Sequence, residues 1–148
     1  RTIFFSRGVI ETIRKLNWSP DIIHCHGWMS ALIPIYIKKA FRDNPLFNES
    51  KIVYSLYDDD FTETFRDGFD KKMKLQNITP EDVTHLQDAN YVNLMKTALD
   101  FSDGVIMGSE KINPELEDYA RSLNIPLLEY QSPENYVDAY NDFYDNLK

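Results

Sequence analysis

The fold is decided by one stretch of sequence, Pro20-Asp21-Ile22-Ile23-His24-Cys25-His26-Gly27-Trp28-Met29. Its centre is a mostly apolar run that begins after a proline and ends at a glycine, which is the pattern of a buried strand. Unbroken strands of this kind are typical of parallel sheets that are covered on both faces. The stretch therefore predicts one strand of an α/β sheet, followed by a turn at Gly27.

Three further runs of the same character follow along the chain, at residues 51–57, 104–108 and 126–130. Helical patterns lie between them, and this alternation predicts a three-layer, Rossmann-like α/β domain with a mostly parallel sheet. The sequence has no internal repeat, low-complexity tract or Gly/Ser linker. We therefore expect a single domain over residues 1–148.

The helices are predicted from apolar residues spaced three and four positions apart. They cover residues 7–16, 29–41, 89–101, 114–123 and a last segment that begins at residues 132–133. We expect Ser6 to cap the first helix and Pro34 to lie in the first turn of the second or to bend it. The last helix is expected to pack four side chains inward: Tyr136, Val137, Tyr140 and Tyr144.

Residues 58–88 show only weak periodicity and carry many acids. A segment with few periodic apolar residues can offset little of its ordering entropy through burial. We therefore predict that this segment is the least ordered part of the chain, with some helix near residues 80–86.

Composition excludes several classes of partner. With 43% hydrophobic residues the chain can form a sizeable core, while its net charge of −8 argues against nucleic-acid coating and against a polybasic membrane anchor. No apolar run approaches the roughly 20 residues that span a bilayer. The single cysteine, Cys25, fits a reducing compartment. We expect a soluble cytoplasmic domain with no nucleic-acid or membrane partner.

Two groups of residues suggest a metal site at first sight. Strand alternation sends Cys25 to the face opposite His24 and His26, so we expect a structural role for a buried His24 instead. The adjacent aspartates 58–60 would suit Mg²⁺ or Mn²⁺ on a nucleotide diphosphate, but such acidic runs are more commonly solvated loops. We therefore predict no metal.

Ligands of parallel α/β sheets bind beyond the carboxyl ends of the strands. This rule selects three turns, at residues 26–29, 57–60 and 108–110. The sequence has no Gly-x-Gly-x-x-Gly, phosphate-loop or Gly-x-Ser-x-Gly motif. Ser109 is expected to be a turn or cap residue, and the aromatic residues between 136 and 144 to be core rather than a sugar-stacking platform. These residues alone predict an α/β domain with a ligand cleft.

Residues 20–34, PDIIHCHGWMSALIP, resemble the signature of bacterial glycogen synthases and plant starch synthases, P-D-hydrophobic-hydrophobic-H-x-H-D-W-H-x-x-L-x-P. Residues 51–57 are similar to the next strand of that family, and residues 93–105, NLMKTALDFSDGV, to its helix-to-strand passage. Order and approximate spacing match over about residues 1–112. The chain thus resembles part of the amino-terminal catalytic domain of glycosyltransferase family 5.

The resemblance implies a retaining glucosyltransferase of the GT-B architecture, which has two Rossmann domains. Such enzymes pass glucose from ADP-glucose or UDP-glucose to the non-reducing end of an α-1,4-glucan, and they need no metal or other cofactor. The part that this chain resembles carries much of the acceptor side of the cleft, and the implied substrate-binding residues are His26, Gly27, Trp28 and Tyr57. For Trp28, packing under the turn is an equally good alternative.

The sequence departs from the family pattern at positions that bear on activity. The family's aspartate in the signature is Gly27 here, the histidine after the tryptophan is Met29, and the histidine that closes the second strand is Tyr57. We find no counterpart of the phosphate-contacting Lys-x-Gly-Gly loop or of the second Rossmann domain. We therefore expect no catalytic residue in this chain, no glucose transfer by it alone, and a second domain or subunit that completes the cleft.

Three functions stay open. The matching signatures favour part of a glucan synthase that holds an α-glucan acceptor. The departures at Gly27 and Tyr57 favour a non-catalytic glucan- or partner-binding domain descended from that family. A third hypothesis, an unrelated small α/β protein that binds a sugar or a nucleotide, has no positive support in the sequence.

Overall fold

The sheet consists of four parallel strands in the order β1-β2-β3-β4. The computed structural model describes residues 1–148 throughout. The strands are β1 (Ile22–His26), β2 (Lys51–Leu56), β3 (Gly104–Met107) and β4 (Leu127–Leu128). Each lies within one of the four predicted runs, so the predicted α/β class and the parallel sheet are confirmed.

Six helices surround the sheet: α1 (Thr2–Lys15), α2 (Ile33–Ile35), α3 (Phe69–Met73), α4 (Tyr91–Asp100), α5 (Pro114–Ser122) and α6 (Tyr136–Asp145). Segments of 3₁₀ helix cover Trp28–Ser30 and Glu81–Asp88, and a π-helical turn, Tyr36–Ala40, continues α2. The side chain of Asn90 accepts the N–H of Asn93 in the first turn of α4, and that of Asn113 accepts the N–H groups of Glu115 and Leu116 in α5, which is why these helices begin where they do. None of the helices has both the length and the apolar character needed to cross a lipid bilayer.

The two faces of the sheet are covered unequally. Alternate side chains of β2, such as Ile52 and Tyr54, belong to a main core of 29 buried residues that also includes side chains of α1, α2, α4 and α5. Val53, between them, faces the other way and packs with Ile106 and Phe143 of α6. When parallel strands lie in sequential order and their crossover connections have the same handedness, the crossover helices all pack on one face of the sheet. Helix α6 covers the opposite face. The result is the predicted three-layer arrangement.

Polar contacts fix the amino ends of the first three strands relative to each other. One carboxylate oxygen of Asp103, just before β3, accepts the N–H of Ile52 at 2.7 Å and the ammonium of Lys38 at 2.8 Å. The hydroxyl of Ser50 donates to the carbonyl of Pro20 at 2.6 Å. These contacts align the amino ends of β1, β2 and β3. They therefore also determine how the carboxyl ends of these strands lie relative to each other.

The predicted cap at Ser6 is wrong. Helix α1 begins at Thr2, and its backbone ladder already starts with the N–H of Phe5 donating to the carbonyl of Arg1. Ser6 therefore lies inside the helix and is fully buried on the side that also carries Ile10 and Ile13. A serine is a good cap only where the backbone before it leaves the helix, and here it does not.

The two helices predicted at residues 29–41 and from residue 132 onward also differ in detail from the expectation. Pro34 lies in the first turn of α2, as expected, but the region predicted as one helix is divided into 3₁₀, α and π turns. Helix α6 begins at Tyr136, after a turn in which the carbonyl of Ser132 accepts two amide groups. Tyr136 and Val137 are 45% and 53% exposed, so the expectation that they pack inward is wrong. The inward positions of α6 are taken by Phe143 and by the partly buried Tyr140 and Tyr144.

Residues 58–88 contribute more to the core than their weak periodicity indicates. Five apolar side chains of this segment are buried: Phe69, Met73, Ile78, Val83 and Leu86. The hydroxyl of Tyr36 donates to the carbonyl of Met73 at 2.7 Å, and Lys39 pairs with Asp82 at 2.9 Å. The segment is therefore seated on the helical layer, while its greater mobility stays a prediction.

Gly104 provides the space into which α6 packs, and this generates a stability prediction. A Cβ at this position would lie 3.0 Å from Cζ of Phe143 and 3.1 Å from Cδ1 of Leu147. We expect Gly104→Ala to lower the free energy of unfolding by about 1–3 kcal/mol, because α6 must shift. Gly8→Ala is the matched control, since nothing lies within 4 Å of a Cβ there and alanine favours a helix interior by about 0.5–1 kcal/mol. Urea denaturation of both variants checks this, and equal effects of the two substitutions would contradict the packing of α6.

Candidate functional site

The carboxyl ends of β1 and β2 bring two predicted site residues together. The hydroxyl of Tyr57, just after β2, lies 2.7 Å from Nδ1 of His26, the last residue of β1. Their rings are nearly parallel, with centroids 6.0 Å apart. The prediction that these residues share one edge of the sheet is confirmed, and Nε2 of His26 has no hydrogen-bond partner within the protein.

His24 lies behind this pair and supports it. Its ring stacks on that of His26 at 4.0 Å, with Nδ1 2.6 Å from the hydroxyl of Tyr144 and Nε2 2.7 Å from that of Ser55. Burial, and to a lesser degree the nearby charge of a protonated His26, lowers the pKa of His24 to about 4. Burial also lowers the pKa of His26. Both imidazoles are therefore neutral at neutral pH, so the edge offers hydrogen bonds there rather than positive charge.

Gly27 forms the turn that leads from β1 into the next helical turn. Its φ of 65° and ψ of 175° lie in a region that is essentially restricted to glycine. The hydroxyls of Tyr54 and Ser30 donate to its carbonyl at 2.6 Å and 3.0 Å. The conformation of this turn therefore requires glycine, and the two hydroxyl groups hold its backbone in place. The fixed turn also sets the position of the next residue, Trp28.

Trp28 is half-buried and belongs to a row of aromatic side chains. The rings of Trp28 and Phe61 make an edge-to-face contact with a centroid distance of 5.2 Å. Phe61 makes a second edge-to-face contact with Tyr91. The indole also packs against the main core. The packing role foreseen for Trp28 is therefore present, and part of its ring is left accessible at the carboxyl edge.

The three aspartates after β2 are engaged in different directions. The N–H of Asp58 donates to the hydroxyl of Ser109 at 3.2 Å, and one carboxylate oxygen of Asp60 accepts from the side chain of Asn113 at 3.2 Å. Asp59 accepts from the hydroxyl of Tyr91 at 2.6 Å. No group of three or more His, Cys, Asp or Glu side chains is arranged to hold a metal ion. The aspartates connect elements at this edge rather than converging on a common point.

Three other predicted residues have clear positions. Ser109 is a turn residue and not the cap of α5, which is Asn113. Cys25 points away from His24 and His26, and burial raises the pKa of its thiol to about 12, so it is an unreactive core residue. Phe143 is buried as expected.

The sequence did not indicate the contribution of Tyr91 and Phe61, and it presented Asp59 only as one of three adjacent aspartates. These residues meet at the edge only because α4 begins beside the loop that follows β2, a relation between distant parts of the chain. A surface depression of about 420 Å³ lies at this place, and its lining includes Asp60, Phe61, Tyr91 and Asn113. The one local indication in the sequence was that Phe61, an apolar residue, directly follows three aspartates.

Comparison with known proteins agrees with the signatures. The family model described as the starch synthase catalytic domain matches residues 1–124. The chain belongs to this family. The predicted resemblance to glycogen and starch synthases is therefore confirmed, and the edge just described is part of a starch synthase catalytic domain.

Several curated proteins similar to this chain are bacterial glycogen synthases. The glycogen synthase of Pelodictyon phaeoclathratiforme is 32% identical over 105 residues, which cover 70% of this chain and 20% of that protein. The glycogen synthase of Chlorobaculum tepidum is 33% identical over 120 residues, which cover 80% and 24%. The chain thus spans about a fifth to a quarter of the length of these relatives.

A solved structure shows the same fold. It is the catalytic domain of Starch Synthase IV from Arabidopsis thaliana bound to ADP and acarbose, and it superposes with a TM-score of 0.63 at 17% identity. The likeness covers 88% of this chain and 29% of that one. The starch synthase family chain described here therefore corresponds to part of a GT-B catalytic domain.

The partly buried His24 generates a pH prediction. Its pKa is about 4 in the folded protein and 6.5 when exposed, so the unfolded state binds an extra proton between these values. We expect the free energy of unfolding to fall as the pH is lowered from about 6.5 through about 4, and this fall to be shallower in His24→Asn. Urea denaturation at about pH 7 and about pH 5 measures the slope.

The control for this prediction is Tyr144→Phe, which removes a hydroxyl from His24 but keeps the imidazole. This variant should be less stable at both pH values and should retain the pH slope of the unmodified chain. A His24→Asn variant whose slope equals that of the unmodified chain would show that His24 is not the titrating group.

Proposed function

We propose that this chain holds the α-glucan acceptor in a glycogen or starch synthase, through His26, Gly27, Trp28 and Tyr57. The observation that carries the proposal is the shared edge at which β1 and β2 of a starch synthase catalytic domain present a bonded His26–Tyr57 pair, with Trp28 in the turn that follows β1. The relatives named glycogen synthase support this direction, and acarbose is bound by the structural neighbour.

The proposed contacts follow from the chemistry of the edge. The accessible Nε2 of the neutral His26 can hydrogen-bond a sugar hydroxyl, while Tyr57 fixes the ring through Nδ1. The exposed part of the Trp28 indole offers an apolar face to a glucose ring, and contacts with Phe61 hold it in place. Neutral hydrogen-bonding groups next to an aromatic face suit a glucan, which is uncharged.

The same edge is poorly suited to a nucleotide diphosphate. Transfer of glucose requires that the phosphates of ADP-glucose or UDP-glucose be held by positive charge or by backbone amides. Here the imidazoles are kept neutral by burial, and three aspartates follow β2. We infer that donor binding and catalysis are supplied elsewhere and that this chain provides no catalytic residue.

We further propose that a second domain or subunit completes the cleft. The relatives are four to five times longer than the stretch they share with this chain, which supports a larger working unit. Several large apolar side chains on and after α1 are also exposed, among them Phe4, Leu16 and Trp18. We place the working protein in the cytoplasm, in line with the free thiol of Cys25.

Glucan binding is tested by the affinity of the chain for maltoheptaose, measured by titration calorimetry. We expect Trp28→Ala to weaken binding about five- to tenfold, because a sugar ring loses its aromatic face. Trp18→Ala is the matched control, since Trp18 is exposed at the opposite, amino end of β1, and should leave the affinity unchanged. Equal losses in both variants, or equal binding of cellohexaose, would argue against an α-glucan site at the carboxyl edge.

Glucose transfer is tested separately. We expect the 148-residue chain to incorporate no glucose from ADP-glucose or UDP-glucose into an α-1,4-glucan primer above a no-enzyme control. Loss of a single well-placed electrostatic contact already costs about 10²–10³ in rate, and the whole phosphate-binding set is missing from this edge. Measurable incorporation of labelled glucose would overturn this. Binding without transfer also fits a non-catalytic glucan-binding domain, the alternative that Gly27 and Tyr57 favour.

A further inference from the structure

Gly27 stands where the family signature carries an aspartate, and the space above it is occupied by another carboxylate. Oδ2 of Asp59 lies 3.0 Å from the point at which a Cβ of residue 27 would be. The backbone of Gly27 also excludes an aspartate there, because its φ and ψ are essentially restricted to glycine. At this turn, a side-chain carboxylate can therefore come only from a neighbouring element, and the loop after β2 supplies one.

Asp59 is held in a fixed orientation by α4. Its Oδ1 accepts from the hydroxyl of Tyr91 at 2.6 Å, and Tyr91 is itself 2% exposed. Burial, together with the hydrogen bond that Tyr91 donates to Asp59, raises the pKa of Tyr91, so the phenol stays protonated and remains a donor. Oδ2 accepts no hydrogen bond from the protein, and Asp59 is half-buried. One carboxylate oxygen is thus fixed and the other is free at the edge.

The two neighbouring aspartates do not share this arrangement. The side chains of Asp58 and Asp60 are exposed, and that of Asp60 is turned towards Asn113. Of the three, only Asp59 both approaches the Cβ position of residue 27 and bonds Tyr91, whose ring contacts Phe61. A carboxylate oxygen near partly accessible aromatic rings is a typical acceptor for the hydroxyl groups of a sugar.

We propose that Asp59 takes over the place of the missing aspartate and binds hydroxyl groups of the α-1,4-glucan through its free Oδ2. The inference rests on the proposed acceptor function of this edge and adds a residue that the sequence pattern does not identify. In this proposal the absence of a side chain at Gly27 leaves space for a carboxylate from the adjacent loop.

The test compares two substitutions on the same loop. Asp59→Asn retains an oxygen for the hydroxyl of Tyr91 but replaces the free acceptor with an N–H₂ donor, so the fold is kept while the proposed contact is lost. Asp58→Asn removes the same charge from an exposed position and is the matched control. We expect the dissociation constant for maltoheptaose, measured in the presence of EDTA, to rise about tenfold in Asp59→Asn and less than about twofold in Asp58→Asn.

A second measurement uses the unmodified chain and does not depend on how a variant folds. Addition of maltoheptaose should shift the amide NMR signal of Gly27, which lies beside Asp59, and leave that of Gly8 in α1 unchanged. Binding with an unshifted Gly27 signal, or equal losses in the two asparagine variants, would overturn the role of Asp59 alone. Absence of maltoheptaose binding by the unmodified chain would overturn the proposed function and this inference together.

Discussion

The arrangement of the edge depends on the register in which β1 and β2 pair. Ile22 lies opposite Lys51 and His26 opposite Ser55, so both strands end at the same level. Because side chains alternate along a strand, this register places His24, His26, Ser55 and Tyr57 on one face and directs Cys25 and Tyr54 into the main core. A slip of one residue would bury the polar side chains of one strand and expose its apolar ones. The hydrogen bonds at Asp103 and Ser50 oppose such a slip at the other end of the strands.

The parts of the fold that the sequence predicted are those with strong local signals. Each strand is a mostly apolar run bounded by proline, glycine or charge, and each was located to within a few residues. The errors lie where tertiary packing overrides a local preference. Ser6 has the chemistry of a cap but is buried within α1, and α6 turns Phe143 rather than Tyr136 towards the sheet because Gly104 leaves a notch for a ring. Residues 58–88 bury apolar side chains without a regular period, so periodicity could not reveal them.

Only part of the candidate site was predicted from the sequence. There is a physical reason why some of its residues were found and others were missed. His26 and Tyr57 follow two strands, and a rule about the ends of parallel strands is enough to bring them together. Asp59 and Tyr91 are 32 residues apart and meet through a loop of irregular shape, which no pattern of spacing describes. The aspartates were interpreted as a group, as either a metal cluster or a solvated run. The structure separates them, since each one is tied to a different element of the fold.

The buried cysteine gives this protein a built-in reporter of its own opening motions. Cys25 is the only thiol of the chain, 3% exposed and on the core side of β1 beneath the Gly27 turn. With its pKa raised to about 12, the thiol is almost entirely protonated and shielded from reagents in the native state. Alkylation then proceeds only through molecules in which β1 has separated from the helical layer. The labelling rate under native conditions therefore measures how often the strand that carries the signature comes loose, without any engineered probe.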